Sequence, residues 1–182
     1  MANISDGLIK KTAFVPFLDV SKTSTPSYKR IKKSTTFSLS FNPQSKTFDF
    51  ISSDSPHEEI DSYQPSLSQS LTMFKGDDDF EAIFDLCYHL PTGGDAHRNV
   101  ILGFIASYCD VGEEGAAVRY YKAWAVDAVV KLGTLDSVAQ SIDFDLALND
   151  HEEVAITLDG SGAPTIVKGT WNGDTFTPAS NQ

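Results

Sequence analysis

Residues 141–150, SIDFDLALND, set Ile142, Phe144, Leu146 and Leu148 in alternation against Asp143, Asp145 and Ala147. Successive side chains of a strand point to opposite faces, so this stretch must lie in a sheet with one oily face and one acidic face. A slip of one residue would put four large apolar groups into water, so the register is strongly specified. The chain must therefore supply neighbouring strands and a cover for the oily face.

Strand signals recur. TTFSLSFNP alternates Phe37, Leu39 and Phe41 against Thr36, Ser38 and Ser40, and KTFDFIS places Phe48 and Phe50 on one face. Between them NPQS reads as a turn, because Asn42 can bond its own backbone and Pro43 presets φ, so the two runs are expected to form a hairpin. SDSPHEEIDSYQP, residues 53–65, reads as a long polar loop of the kind that serves function or an interface. SLSQSLTM gives a further strand with Leu67 and Leu71 on one face, and NVILGFIASY, residues 99–108, reads as a central strand covered on both faces. Residues 116–133, rich in β-branched and aromatic side chains, predict a long strand interrupted by a bulge. Two further strands, EEVAITLDG and TIVKGTWNGDTFTP, end the sequence, the latter with Asn172-Gly173 at the tip of a tight hairpin.

One segment carries the helical period. Phe80, Ile83, Phe84 and Cys87 follow i, i+3, i+4, i+7, predicting a helix over about 77–90. Asp77 or Asp78 is placed as its N-cap, with Glu81 three residues after Asp78 as in a capping box. Acids in the first turn complement the helix dipole, and Pro91 and Gly93-Gly94 stop the helix. The Asp77-Asp78-Asp79 triplet therefore reads as a start signal rather than a metal site, since apolar residues stand where further oxygen ligands would be needed.

Net charge is −11, and it is divided unevenly. Residues 1–34 hold seven bases (Lys10, Lys11, Lys22, Lys29, Arg30, Lys32, Lys33) against two acids; the remainder holds seven bases against 23 acids. This predicts a basic, extended N-terminal arm over 1–34 and a single acidic β domain over 35–182. An acidic body repels nucleic-acid phosphates, so the arm's expected partner is the acidic body of another copy. No run approaches the ~18 apolar residues of a membrane span, and the N-terminus lacks the apolar core of a cleaved signal. Cys87 and Cys109 sit in apolar patterns and are expected to be reduced and buried.

No enzyme signature emerges, and no cofactor or metal is expected. His57, His89, His97 and His151 are scattered; TGGDAH lacks the Gly-Lys-Ser/Thr ending of a phosphate loop. Asp143 and Asp145 would serve a catalytic carboxylate pair only with a partner histidine. Tyr120, Tyr121, Trp124 and Trp171 would make a sugar platform, though aromatics in strands are more often core or subunit contact.

Residues 41–97 resemble the major tail tube protein of long-tailed, non-contractile bacteriophages. The likeness rests on the turn at Asn42-Pro43, the Tyr63-Gln64-Pro65-Ser66-Leu67 approach, Lys75-Gly76-Asp77 opening the helix, the TGGDAH turn, and the closing VKGTWNGDTFTP. The resemblance implies a mainly β fold, a sandwich or barrel of the tail-tube type with one flanking helix. It also implies a structural role without enzymatic activity, namely self-assembly into stacked, usually hexameric rings that form a tube for DNA ejection. Implied partners are further copies of the chain and other tail proteins (tape measure, tail terminator, distal tail protein), with DNA in unspecific transit and no membrane segment. The implied place is the virion tail, after assembly in the host cytoplasm. On this reading Asp143 and Asp145 face the lumen. Lys10, Lys11, Lys29, Arg30, Lys32, Lys33, Glu58, Glu59 and Tyr63 contact neighbouring subunits. The ring protein of a contractile injection machine is the related alternative; a carbohydrate-binding or adhesin β-sandwich is a more distant one.

Overall fold

A computed structural model describes residues 9–21, 23, 25–52, 54–113 and 117–179. In chain order the strands are β1 (Phe14–Asp19), β2 (Tyr28–Arg30), β3 (Ser34–Ser40), β4 (Pro43–Phe48), β5 (His57–Tyr63) and β6 (Ser66–Thr72), followed by helix α1 (Asp78–His89). The remainder comprises β7 (His97–Val111), β8 (Val118–Asp136), β9 (Ser141–Leu158), β10 (Pro164–Val167), β11 (Gly169–Asn172) and β12 (Thr175–Pro178). The chain is mainly β, as expected, and α1 is the one α-helix among the described residues.

The main sheet is antiparallel in the order β2-β1-β7-β8-β9-β6-β3, with β10 also pairing β9; β4-β5 and β11-β12 are separate two-stranded ribbons. The three long strands at its centre give it two apolar faces. Leu18, Val100 and Val126 belong to one cluster, whereas their neighbours Phe17, Ile101 and Ala125 belong to another. Adjacent residues of a strand face opposite ways, so β1 and the middle of β7 are covered on both sides. The result is sandwich-like. The first cluster is sealed by α1 through Phe80, Ile83 and Leu86, and receives Ile142, Phe144, Leu146 and Leu148 from β9 and Leu67 and Leu71 from β6. Each fully buried side chain of this size contributes about 1.5–3 kcal/mol.

Three local expectations are corrected. First, Phe37–Phe41 and Phe48–Phe50 do not form a hairpin. Asn42 takes a positive φ of 42° and the chain leaves the main sheet, so β3 pairs β6 and β4 pairs β5. The amide of Asn42 ties this corner down, donating from Nδ2 to the Gln64 carbonyl (3.0 Å) and to Ser66 Oγ (3.2 Å). Secondly, the expected polar loop 53–65 is largely strand β5.

Thirdly, much of the expected arm is built into the sheet. Val15, Phe17 and Leu18 are at most 3% exposed, and β1 pairs β7 from Phe14↔Phe104 to Leu18↔Val100. Pro16 fits there because β2 ends beside it. Its carbonyl accepts from the Ile31 amide at 3.0 Å, at the place where no N–H is needed in return. Residues 1–8, Lys22 and Ser24 of the arm lie outside the described residues.

Other expectations meet mixed outcomes. β8 is one long strand with register shifts at Val126/Ala128 and Leu132/Leu135. Residues 141–158 form a single strand where two shorter ones were expected. The closing hairpin pairs Asn172 with Thr175 and turns through Gly173 at φ 61°. Both cysteines are free, Cys109 buried and Cys87 half-buried. No helix among the described residues is long and apolar enough to cross a membrane.

Candidate assembly surface

The ribbon β4-β5 is the part of the molecule that packing leaves open. All six residues of β4 and all seven of β5 are exposed. Their partners are each other, with Pro43↔Tyr63 at the base and Phe48↔His57 toward the tip. Lys46 donates to Asp61 at 2.7 Å and His57 meets Glu59 at 3.2 Å, both on the surface. Beyond β4 the rings of Phe48 and Phe50 stack at 5.7 Å with 9° between planes, and Ile51 projects fully into solvent. Ile60 and Tyr63 are each 57% exposed. An isolated two-stranded ribbon is marginal in water, and this one carries an apolar tip without a covering layer.

A second open feature is the outer face of β3, β6 and β9. The pairs Thr36↔Ser70, Ser38↔Ser68, Ser70↔Asp143 and Ser68↔Asp145 line up small polar side chains across three strands. Ser70 Oγ donates to Asp143 and Ser68 Oγ to Asp145, each at 2.6 Å. The alternation read from the sequence is therefore realised: Ile142 and Leu146 lie in the core, and Asp143 and Asp145 face out. Strand β3 is also the last in the sheet order, so among the described residues one row of its backbone groups has no strand beside it.

The triplet at the helix start does more than expected. Asp77 is the N-cap by backbone conformation, but it makes no side-chain cap bond. Glu81 Oε1 instead accepts from the Gly76 amide at 3.1 Å, one residue earlier than a capping box requires. The three aspartates turn to residues 29–33: Asp77 meets Lys33 at 2.6 Å and Asp78 meets Lys29 at 3.3 Å. Asp79, 4% exposed, accepts from the Lys32 amide at 2.9 Å. Lys29 and Lys33, expected to contact other subunits, are thus paired within the chain. The reason is proximity, since β2 delivers them to the negative side chains at the helix N-terminus. The side chains of Arg30 and Lys32 are exposed, as are Lys10, Lys11, Glu58, Glu59 and Tyr63.

Asp19 ties the β1–β2 connection. Burial acts to raise its carboxyl pKa, but bonds from the Ser27 and Ser21 amides, with help from the Ser21 hydroxyl and Asn99, hold it below the usual carboxylate range. At the other end of the sheet Arg119 donates twice to Asp110, at 2.7 and 2.9 Å. This depresses the Asp110 carboxyl and raises the guanidinium.

The residues that sequence reasoning considered for chemistry are dispersed. His57 meets Glu59, His89 Nδ1 lies 2.9 Å from the Asp85 carbonyl, His97 lies 2.6 Å from Asp127, and His151 packs on Trp124. None of these contacts involves Asp143 or Asp145. The four aromatics form no common platform: Tyr120 and Trp171 pack on Phe176, Tyr121 on Tyr108, and Trp124 on Phe104. Among the described residues no group of three or more His, Cys, Asp or Glu is placed to hold a metal ion.

No family model matches the sequence, and no curated protein does. Among solved structures the fold is similar to a chain of the anti-feeding prophage baseplate, at 12% identity and a TM-score of 0.42, covering 82% of this chain and 97% of that one. It is also similar to a chain of the sheath–tube complex of an extracellular contractile injection system, PVC, in the extended state. There the identity is 10%, the TM-score 0.45, and the coverage 84% and 95%. Scores this low leave the functional argument to the chain's own geometry.

Proposed function

We propose that this chain is a structural subunit of a tail-like injection machine, which self-assembles into stacked rings and so builds a tube. The observation that carries the reading is the β4-β5 ribbon, thirteen strand residues without a buried side chain and with an apolar tip. A projecting ribbon of this kind makes a heterologous contact, and heterologous contacts propagate into rings and filaments. The free edge of β3 adds a second join, because closing sheets edge to edge removes unpaired backbone groups. The smooth face of Thr36, Ser38, Ser68, Ser70, Asp143 and Asp145 suits the lumen: short side chains leave the bore open, and carboxylates repel DNA phosphates.

The tube of a long non-contractile tail and the tube or ring of a contractile machine are two forms of this proposal, and both use the same surfaces. Of the two solved structures named above, the sheath–tube complex is of the contractile kind. Electron microscopy and sedimentation of the concentrated protein test the shared claim, with rings or tubes as the expected result. A chain that sediments as a monomer at every concentration and is absent from purified particles overturns it. A sheath bound around the tube in those particles selects the contractile form.

A further inference from the structure

The same chain carries an exposed apolar projection and an apolar cavity. The cavity, about 550 Å³, is walled by Phe14, Phe104, Trp124 and Trp171, with Ile9 and Lys122 also lining it. Its volume falls within the ~300–1,000 Å³ of pockets that hold a ligand. The aromatic walls are fixed by their neighbours: Phe104 packs edge-on against Phe14 at 6.0 Å and against Trp124 at 5.1 Å, and Trp171 packs on Phe176 at 4.9 Å.

We infer that this cavity receives the β4-β5 tip of another copy, so that Phe48, Phe50 and Ile51 of one subunit seat among Phe14, Phe104, Trp124 and Trp171 of the next. The inference rests on the self-assembly proposed above and names its contact. Three observations favour a second copy as the occupant. The tip offers three large apolar side chains, 39%, 50% and 108% exposed, on a ribbon that its own domain leaves unpacked. Charge is complementary at the rim: the ribbon carries Asp49, Asp54, Glu58 and Glu59 around its tip, while Lys10 and Lys11, exposed, follow Ile9 directly at the cavity's edge. Within the lining itself Lys122, paired with Asp174 at 3.3 Å, is matched by Glu153, so the complementarity lies at the rim. Finally, the contact can extend beyond the tip, because all thirteen strand residues of the ribbon are exposed and can add to it.

A heterologous contact of this kind has a signature that a symmetric one lacks. Ile51→Asp spoils the tip and leaves the cavity intact; Ser107→Trp fills the cavity and leaves the tip intact. Each variant alone should need about thirtyfold more protein to assemble. Mixed together they should form only species of limited size, one good tip in one good cavity, and no tubes. Lys10→Glu with Lys11→Glu should weaken assembly, and adding Glu58→Lys with Glu59→Lys should restore it. These four positions are exposed, so the charge exchange carries the test even if Ser107→Trp fails to fold. Wild-type tubes that are indifferent to both Ile51→Asp and the charge reversal overturn this pairing while leaving the proposed function intact. A wild-type chain that forms no assembly overturns both.

Discussion

The α1-covered half of the main sheet and the β4-β5 ribbon both carry large apolar residues but end in opposite states. In the first, Leu67 and Leu71 are completely buried, as is Ile83 of the helix that covers them. In the second, Phe48, Phe50, Ile51, Ile60 and Tyr63 are all exposed. Local pattern makes a strand; only a neighbouring layer makes it stable alone. The covered half is complete within one chain, whereas the ribbon is complete only in company.

The largest expected effect separates the two regions directly. Ile83→Ala or Leu71→Ala should cost the monomer about 2–5 kcal/mol in denaturant unfolding, through lost transfer energy and a residual cavity. Phe50→Ala and Ile51→Asp should change monomer stability by less than about 0.5 kcal/mol while sharply reducing assembly. If the tip variants destabilise the monomer as much as the core variants do, the ribbon is packed after all and the contrast fails.

Next in size is the joint between the helix and residues 29–33. Asp79→Ala removes the acceptor of the Lys32 amide in a site that is only 4% exposed, and should cost about 1–3 kcal/mol by the same measurement. The pairs Lys33–Asp77 and Lys29–Asp78 are partly exposed, so removing either should cost at most about 1 kcal/mol, and less in high salt.

Acid should act mainly on the covered region. The Asp19 carboxyl is depressed in the folded state, so it contributes stability above its unfolded pKa of about 4, and that contribution is lost as pH falls through the folded value. Thermal unfolding of the native chain should therefore show its steepest loss below about pH 4, and Asp19→Asn should flatten part of that fall. Asp110, depressed by its bonds from Arg119, and Asp136 and Asp159, depressed by bonds from turn amides and hydroxyls, add to it in the same direction. The smallest effect is expected at Leu90, exposed and left-handed at the helix C-terminus with φ 47°. Leu90→Gly relieves that strain at the cost of a looser unfolded chain, and should shift stability by no more than about 1 kcal/mol.

Period-two patterning made most of the strands and both faces of residues 141–148 legible, and period 3.6 made α1 legible, because those signals are local. Pairing was not legible. Asn42-Pro43 signals a turn, but whether the chain returns to β3 or departs to form a new ribbon is decided by where β6 lies. Strand β1 was hidden by Pro16, which usually argues against an inner strand and is tolerated here only because β2 is three residues long. The bases at 29–33 suggested a partner in another subunit, since nothing in their spacing announces the three aspartates brought to them from 77–79. The cavity between β1, β7, β8 and the closing hairpin joins residues more than a hundred positions apart, beyond the reach of any motif.

Hydrogen–deuterium exchange, measured on the dilute chain and again on the concentrated one, reaches the central claim most directly. In the dilute state the amides of 43–63 should exchange far faster than those of 66–72 and 141–148, and concentration should protect 43–63 while leaving the covered strands unchanged. Equal protection of 43–63 in both states, with no larger species formed, would contradict the account.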